Sequence, residues 1–410
     1  MRVLMLSWEY PPHVSGGLGK HVAELVPVLA CQGVEVHVVT PNLHGGAAEE
    51  QIASNAYVYR VAPPEIAPDA TGLVTFAQAC NSALDDKGRD LQRRLGRFDL
   101  VHAHDWLVAY SAVALKYFAP LPLVVTVHAT ERGRGQGFLS SDESLAIHGT
   151  EWWLTYEAWR VITVSHFMAE QVNQYFDVPL DKIHVIHNGV PMPAEPRLGD
   201  AERLEFRRRF ATDAQHIVYY VGRLVYEKGV HVLVDAAASI LERCGDVKFI
   251  VAGTGGQLDA LRHRAMEAGV YQHFFFTGFI PDRERDLLYQ VADVAVFPSL
   301  YEPFGIVALE AMAQLCPVVV SATGGLVEVV KLHETGLTCH PGSPDSLAWA
   351  VVETLNNPGW ARSRAENARA EVREHYSWER VAAQTVAAYR RVQAECESTA
   401  WARPKHEQVV

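Results

Sequence analysis

Short apolar runs of strand length alternate with stretches of helical spacing along most of this chain, and the alternation begins twice. Residues 2–7 read as a buried strand, 22–32 as a helix stopped by Gly33, and 33–40 as a second strand with alternating apolar residues. Strand, helix and strand at this length make a βαβ unit, whose strands run parallel. Ligands of such sheets bind beyond the carboxyl ends of the strands. Further strands are expected at 99–106, 123–129, 160–165 and 183–190. After Pro191, Pro193 and Pro196, a linker by composition, the pattern restarts at 216–222 and continues at 247–253, 273–278, 294–297 and 316–321. From Asp345 the spacing is helical, broken at Pro358 and near Ser377, and the tail at 402–407 reads as frayed. A chain of 410 residues exceeds what one core usually supports. Two α/β domains are expected, 1–191 and 192–377.

Charge and cysteine usage narrow the function classes. The formal net charge of −12 argues against a nucleic-acid protein, which carries a basic patch. Six scattered cysteines with no C-x-x-C pair fit a reduced cytosol better than a disulfide framework or a zinc site. The apolar run at 110–127 is broken by Lys116, Pro120 and Pro122, so no integral membrane segment is expected.

The densest chemistry lies after the strand at 294–297. Pro298 and Ser299 end that strand, Pro303 and Gly305 shape a tight loop, and helical spacing starts at Ile306. Glu302 falls on the loop and Glu310 on the helix, with seven residues between them. The helix start offers N–H groups near Phe304, Gly305 and Ile306, where phosphate is attracted. A loop acid, an amide cradle and a helix acid suit a nucleotide sugar. A capped α/β loop with one solvated Glu has the same spacing.

Other candidates sit at strand ends. The loop 8–20 holds Gly16, Gly17 and Gly19 where a helix begins, yet lacks the P-loop and dinucleotide spacings. His102, His104 and Asp105 follow one another closely. Alternation turns the two histidines to one face and Asp105 to the other, so hydrogen-bonded histidines are expected in place of a metal site. His128 ends a strand and points to the ligand side. Arg223 and Lys228 bracket the start of a helix, where they can neutralise a diphosphate or simply be solvated. Gly253 opens the loop after 247–253. Residues 130–137, rich in Gly and Arg, read as a mobile loop for acceptor or phosphate. The aromatics of 151–159 are expected in the core.

Several of these segments resemble one family. E-P-F-G-I-V-A-L-E at 302–310 is similar to the E-x7-E signature of the retaining glycosyltransferases of family 4, the clan of glycogen and sucrose synthases. G-R-L-V-Y-E-K-G at 222–229 resembles that family's phosphate-binding motif. H-A-H-D-W at 102–106 and the G-G-L loop at 16–18 resemble glycogen and starch synthases, although Val14 stands where they have Lys. The change puts an ADP-glucose preference in doubt.

The resemblance implies two Rossmann-like domains facing across a cleft, the GT-B arrangement, with a last helix (378–396) crossing back to the N-terminal domain. It implies a metal-independent, retaining hexosyltransferase in the cytoplasm, using ADP-glucose or UDP-glucose and an α-glucan acceptor, without a cofactor. By resemblance the catalytic set is His128, Asp105, Glu302, Arg223 and Lys228. The donor-binding set is Gly16, Gly17, Gly253, Phe279, Phe304, Gly305, Ile306 and Glu310. Front-face substitution is favoured, with Glu302 as nucleophile the runner-up. Small-molecule, disaccharide or lipid acceptors stay open. So do a pyridoxal-phosphate glucan phosphorylase and a non-catalytic binder of sugar nucleotides.

Overall fold

The computed structural model describes residues 1–66, 72–193 and 199–402. Pro196 and the tail beyond Ala402 lie outside these residues. The chain divides into two compact units, Met1–Asn188 together with the segment from Trp378 onward, and Gly189–Ser377. The passage at Asn188 has a local cause. Asn188 bonds His21 of the first unit, whereas the Val190 amide bonds the Tyr376 carbonyl of the second.

In the N-terminal unit β1 (Arg2–Ser7), β2 (Glu35–Pro41), β3 (Glu49–Ala53), β4 (Ala56–Val61), β5 (Leu100–His104), β6 (Leu123–Val127), β7 (Arg160–Thr163) and β8 (Ile183–Val185) form one sheet. Its order is β3-β4-β2-β1-β5-β6-β7-β8. The strands are parallel except β3, which pairs antiparallel with β4 at the edge. Val3, Leu4, Met5 and Leu6 are fully buried, as expected where both faces of a parallel sheet are covered. The β3–β4 hairpin and the long helix Leu73–Leu95 extend the simple βα alternation read from sequence.

The first helix spans Gly17–Cys31 and so begins five residues before the expected start at 22. Its apolar stripe explains this: Leu18, Val22, Leu25, Val26 and Leu29 are all buried on one face. The helix Trp378–Glu397 packs on it, and Val381, Ala382, Val386 and Tyr389 join Val22, Leu25 and Leu29 in one core. The end of the chain therefore returns to the first unit.

One core expectation is corrected. On the helix Asp142–Glu157, Ile147 and Leu154 face inward, while Trp152 and Tyr156 are exposed at 46% and 67% and stack on each other. The inward face is completed by Thr150, Glu151 and Thr155, so polar groups hold positions that the aromatic spacing had suggested for rings.

In the C-terminal unit β9 (His216–Val221), β10 (Val247–Ala252), β11 (Phe274–Gly278), β12 (Val294–Phe297), β13 (Val318–Ser321) and β14 (Leu337–Cys339) form a parallel sheet in the order β11-β10-β9-β12-β13-β14. Its core joins Val218, Phe249, Val251, Val294 and Val296 to the helices Val230–Cys244 and Pro344–Asn356. Both units are thus Rossmann-like. In each the strand order reverses once, between β1 and β5 and between β9 and β12, and an open α/β sheet binds ligands at that reversal.

Candidate functional site

The reversal in the C-terminal unit brings together two segments some seventy residues apart. Arg223 and Lys228 follow β9, and Glu302 follows β12. Lys228 Nζ lies 2.7 Å from Glu302 Oε2, and Ser299 Oγ is 3.2 Å from the same oxygen. The loops are stapled by backbone. The Glu227 carbonyl accepts from the Leu300 amide at 2.8 Å and the Tyr301 amide at 3.2 Å. Gly229 has φ +67, and a Cβ there would stand 1.9 Å from the Pro298 carbonyl oxygen. Only glycine lets the two loops close to this distance.

The ion pair is nearly dry: Glu302 is buried and Lys228 half-buried. A half-exposed Arg223 stands beside it and pairs with Glu227 Oε1 at 3.5 Å, not with Glu302. Gly305, at φ +107, caps the helix Ile306–Ala313. The first amides of that helix have no acceptor within it, which makes an anion-receiving end. Glu310 is buried on the same helix, and Arg285 Nε lies 3.5 Å from its Oε2. Arg285 is also held by Asp282 and Asp286 at 2.6 and 2.8 Å. No spacing signal pointed to Arg285, because its helix Asp282–Val291 is a separate element.

Three donor-side positions gain detail in three dimensions. Phe279 is exposed at 79%, free to meet a flat ligand. Gly253 has φ +134, and a Cβ there would sit 1.9 Å from the Gly222 carbonyl oxygen. Its glycine is demanded by the neighbouring loop after β9. Phe304 is buried at 2% and packs against Tyr376, so it offers a ligand backbone and not a ring.

In the N-terminal unit, the reversal between β1 and β5 carries the glycine loop and Asp105. The Gly16 amide, expected to face a phosphate, donates to Glu9 Oε2 at 3.1 Å, and the Ser15 amide donates to the same oxygen at 2.9 Å. Gly17 is exposed at the helix start. Val14 is exposed at 44%.

Asp105 adopts φ +57, a sparsely populated conformation for a non-glycine residue that recurs at functional sites. Its Oδ1 accepts from the His128 amide at 2.7 Å. Burial pushes its carboxyl up to about 6, against the opposing pull of Arg134 and the amides of His128 and Ala129. Asp105 thus braces the strand end that carries His128. It lines a cavity of about 10 Å³ together with Glu151, at the lower limit of what one water needs. Glu151 Oε1 accepts from the Glu131 amide at 2.8 Å, which ties down the 130–137 loop. Burial raises the Glu151 carboxyl to about 8.

The histidines form a buried cluster. His102 Nδ1 meets the Tyr389 hydroxyl at 2.6 Å, and His102 Nε2 meets Thr126 Oγ1 at 2.8 Å. His104 Nδ1 lies 3.0 Å from His128 Nε2. His102 and His104 share one face, as alternation requires, with ring centroids 4.2 Å apart. His102, His104 and Asp105 do not converge on a common point. The trio that does is His21, His104 and His128, with one ring nitrogen of each within 4.8 Å of the others. Burial holds His21 at about 4 and His102 at about 3, and keeps His104 and His128 well below the usual histidine range.

Residues 15–192 match the family described as Glycosyltransferase Family 4, and residues 202–371 match Glycosyl transferases group 1. The chain is 39% identical to an uncharacterized glycosyltransferase of Methanocaldococcus jannaschii, over 95% of this chain and 98% of that protein. It is 37% identical to a glycogen synthase of Mycobacterium tuberculosis, over 95% of this chain and 94% of that one. It is 31% identical to an alpha-maltose-1-phosphate synthase of Mycolicibacterium smegmatis, over 96% and 100%. Among solved structures, sucrose-phosphate synthase from Thermosynechococcus elongatus superposes with a TM-score of 0.81 at 24% identity, covering 96% of this chain and 99% of that one. The catalytic domain of Arabidopsis thaliana starch synthase IV gives 0.75 at 18%, covering 96% and 99%. No helix among the described residues is long and apolar enough to cross a membrane. Two Rossmann-like sheets, motif loops at both strand-order reversals and full-length likeness to named transferases lead to one assignment: the chain belongs to glycosyltransferase family 4, with the GT-B fold.

Proposed function

We propose that this glycosyltransferase moves glucose from a nucleotide-diphosphate sugar to an α-glucan acceptor with retention at the anomeric carbon and without a metal or other cofactor. The observation that carries the reading is the Lys228–Glu302 pair at the reversal between β9 and β12, with Arg223 beside it. In the proposed reaction the C–O bond between the anomeric carbon and the β-phosphate oxygen breaks. The electron pair leaves with the diphosphate, and Lys228, Arg223 and the amides of Gly305 and Ile306 stabilise that charge. The acceptor oxygen attacks from the same face, and its proton passes to the departing phosphate. Glu302 holds sugar hydroxyls and Glu310 the ribose. Phe279 and Gly253 lie on the nucleotide side. We assign His128 and Asp105 to the sugar and acceptor side, and the protein to the cytoplasm.

The glucan acceptor draws support from the 37% identity to a glycogen synthase and from the H-A-H-D-W segment. A second reading has its own support. Val14 replaces the expected Lys, and a relative matched over 96% of this chain and 100% of its own length is an alpha-maltose-1-phosphate synthase. Under that reading the acceptor is a small sugar phosphate. ADP-glucose, UDP-glucose and GDP-mannose crossed with glucan, disaccharide, sugar-phosphate and lipid acceptors, read by mass spectrometry, separate these readings. The anomeric configuration of the product and an EDTA arm test retention and metal independence. Transfer to water alone, or to none of the acceptors, sinks the proposal.

A further inference from the structure

His128, assigned above to the sugar side, is not an isolated ring. Its Nε2 is engaged by His104 Nδ1 at 3.0 Å, and the two rings lie 23° from parallel. One hydrogen bond uses one proton, so one ring donates and the other accepts. His21 lies against both, with centroids 4.8 Å from His128 and 5.5 Å from His104. On its other side His21 Nδ1 is 2.7 Å from Asn188 Oδ1. A carbonyl oxygen only accepts, so the His21 proton sits on Nδ1 and its Nε2 is bare. Burial keeps all three rings neutral, with one N–H each.

His104 is wholly buried, and its Nε2 has no hydrogen-bond partner among the described residues. Of the two neutral tautomers of His104, the one protonated on Nε2 leaves Nδ1 as the acceptor that faces His128. His104 Nδ1 is then bare and accepts from His128 Nε2–H. His128 is left with an unprotonated Nδ1, which carries no hydrogen bond among the described residues, as an acceptor for a hydroxyl.

We propose that His104 is a positioning residue that, backed by His21 and Asn188, fixes the orientation and tautomer of His128 so that His128 presents a bare Nδ1. The inference rests on the reading of His128 as a sugar-side group. Three variants at position 104 test it. His104→Asn keeps a polar atom near the place of Nδ1, His104→Gln keeps one near the place of Nε2, and His104→Ala keeps neither. With whichever of UDP-glucose or ADP-glucose is turned over on maltooligosaccharide, kcat should fall roughly ten- to a hundred-fold in Ala and Gln. Donor KM should hold, and Asn should recover most of the rate. Equal rates in the three, or losses that merely follow thermal stability, overturn the proposal.

Two further arms keep the outcome decisive. In protein labelled with 15N-histidine, His128 Nδ1 should report as unprotonated; a protonated Nδ1 overturns the proposal even where no turnover is measured. One equivalent of metal held through His21, His104 and His128, found by elemental analysis, also overturns it. His128→Ala separates the two levels. If it turns over like wild type, the sugar-side reading fails. If it is crippled while all three His104 variants are normal, only the positioning role of His104 fails.

Discussion

The two strand-order reversals of this molecule present opposite electrostatics on the same architecture. In the C-terminal unit the loops after β9 and β12 meet through the ion pair of Lys228 and Glu302, and the helices Asp282–Val291 and Ile306–Ala313 add that of Arg285 and Glu310. In the N-terminal unit the imidazoles around β5 and β6 are kept neutral by burial and bond to imidazole, hydroxyl and amide. The contrast follows from which residues the strands end on. Cations beside a cradle of helix-end amides suit a ligand whose leaving group is anionic. A dry set of neutral rings suits hydroxyls, because a neutral ring offers one donor and one acceptor without the cost of burying charge. The division therefore predicts different responses to mutation and to pH.

The largest effect should come from breaking the charged reversal. Glu302→Gln or Lys228→Ala should lower transfer on the order of 10²–10³-fold while circular dichroism shows the fold intact. A wild-type rate in both would remove the C-terminal unit's claim to the chemistry. Next comes Gly229→Ala, which sets a methyl against the Pro298 carbonyl at a positive φ. It should cost about 3 kcal/mol or more and show as a lowered melting temperature together with lost activity. An unchanged melting temperature would mean the two loops are not held as described.

The neutral reversal should show itself in acid. His21 and His102 have folded pKa values of about 4 and about 3, below the unfolded value of about 6.5. The unfolded chain therefore binds more protons in that window, so stability is fully present above about pH 6.5 and is lost as pH falls towards 4 and 3. His21 alone is worth on the order of 3 kcal/mol over this range. Calorimetry from pH 7 to pH 4 should show the N-terminal unit weakening, with a shallower slope in His21→Leu. The carboxylate effect has the reverse sign. Burial raises the Glu151 carboxyl to about 8, so the folded state holds the extra proton and stability falls as pH rises from the unfolded value towards 8. Glu151→Gln keeps an acceptor for the Glu131 amide and should raise the melting temperature clearly at pH 8 and little at pH 5. A gain equal at both pH values would mean that charge burial is not its cause.

Much of this was legible along the chain because the relevant physics is local. Strand and helix periods and the breaks at Pro358 and near Ser377 depend on neighbours within a few residues. So does an N-cap such as Ser165, whose Oγ accepts from the Met168 amide at 3.0 Å before the helix His166–Phe176. Both carboxylates of the 302–310 segment stand on the loop and helix expected of them. Less legible was anything needing a partner far away. Glu9 answers Gly16, and Arg285 answers Glu310, without a spacing that announces it. Trp152 and Tyr156 point outward because Thr150, Glu151 and Thr155 take the inward positions of their helix, a choice that periodicity among aromatics does not reveal.

The sequence by itself determined two parallel α/β units, the family and the loops that carry its chemistry, since repeated βα spacing and contiguous motifs are properties of chain order. Only the tertiary structure decided that β9 lies beside β12 and β1 beside β5, and hence that Lys228 meets Glu302 and that His21, His104 and His128 share one dry cluster. The reason is that strand order and burial are settled by packing between segments tens to hundreds of residues apart. A side chain's charge state and partner follow from that packing and not from its neighbours in the chain.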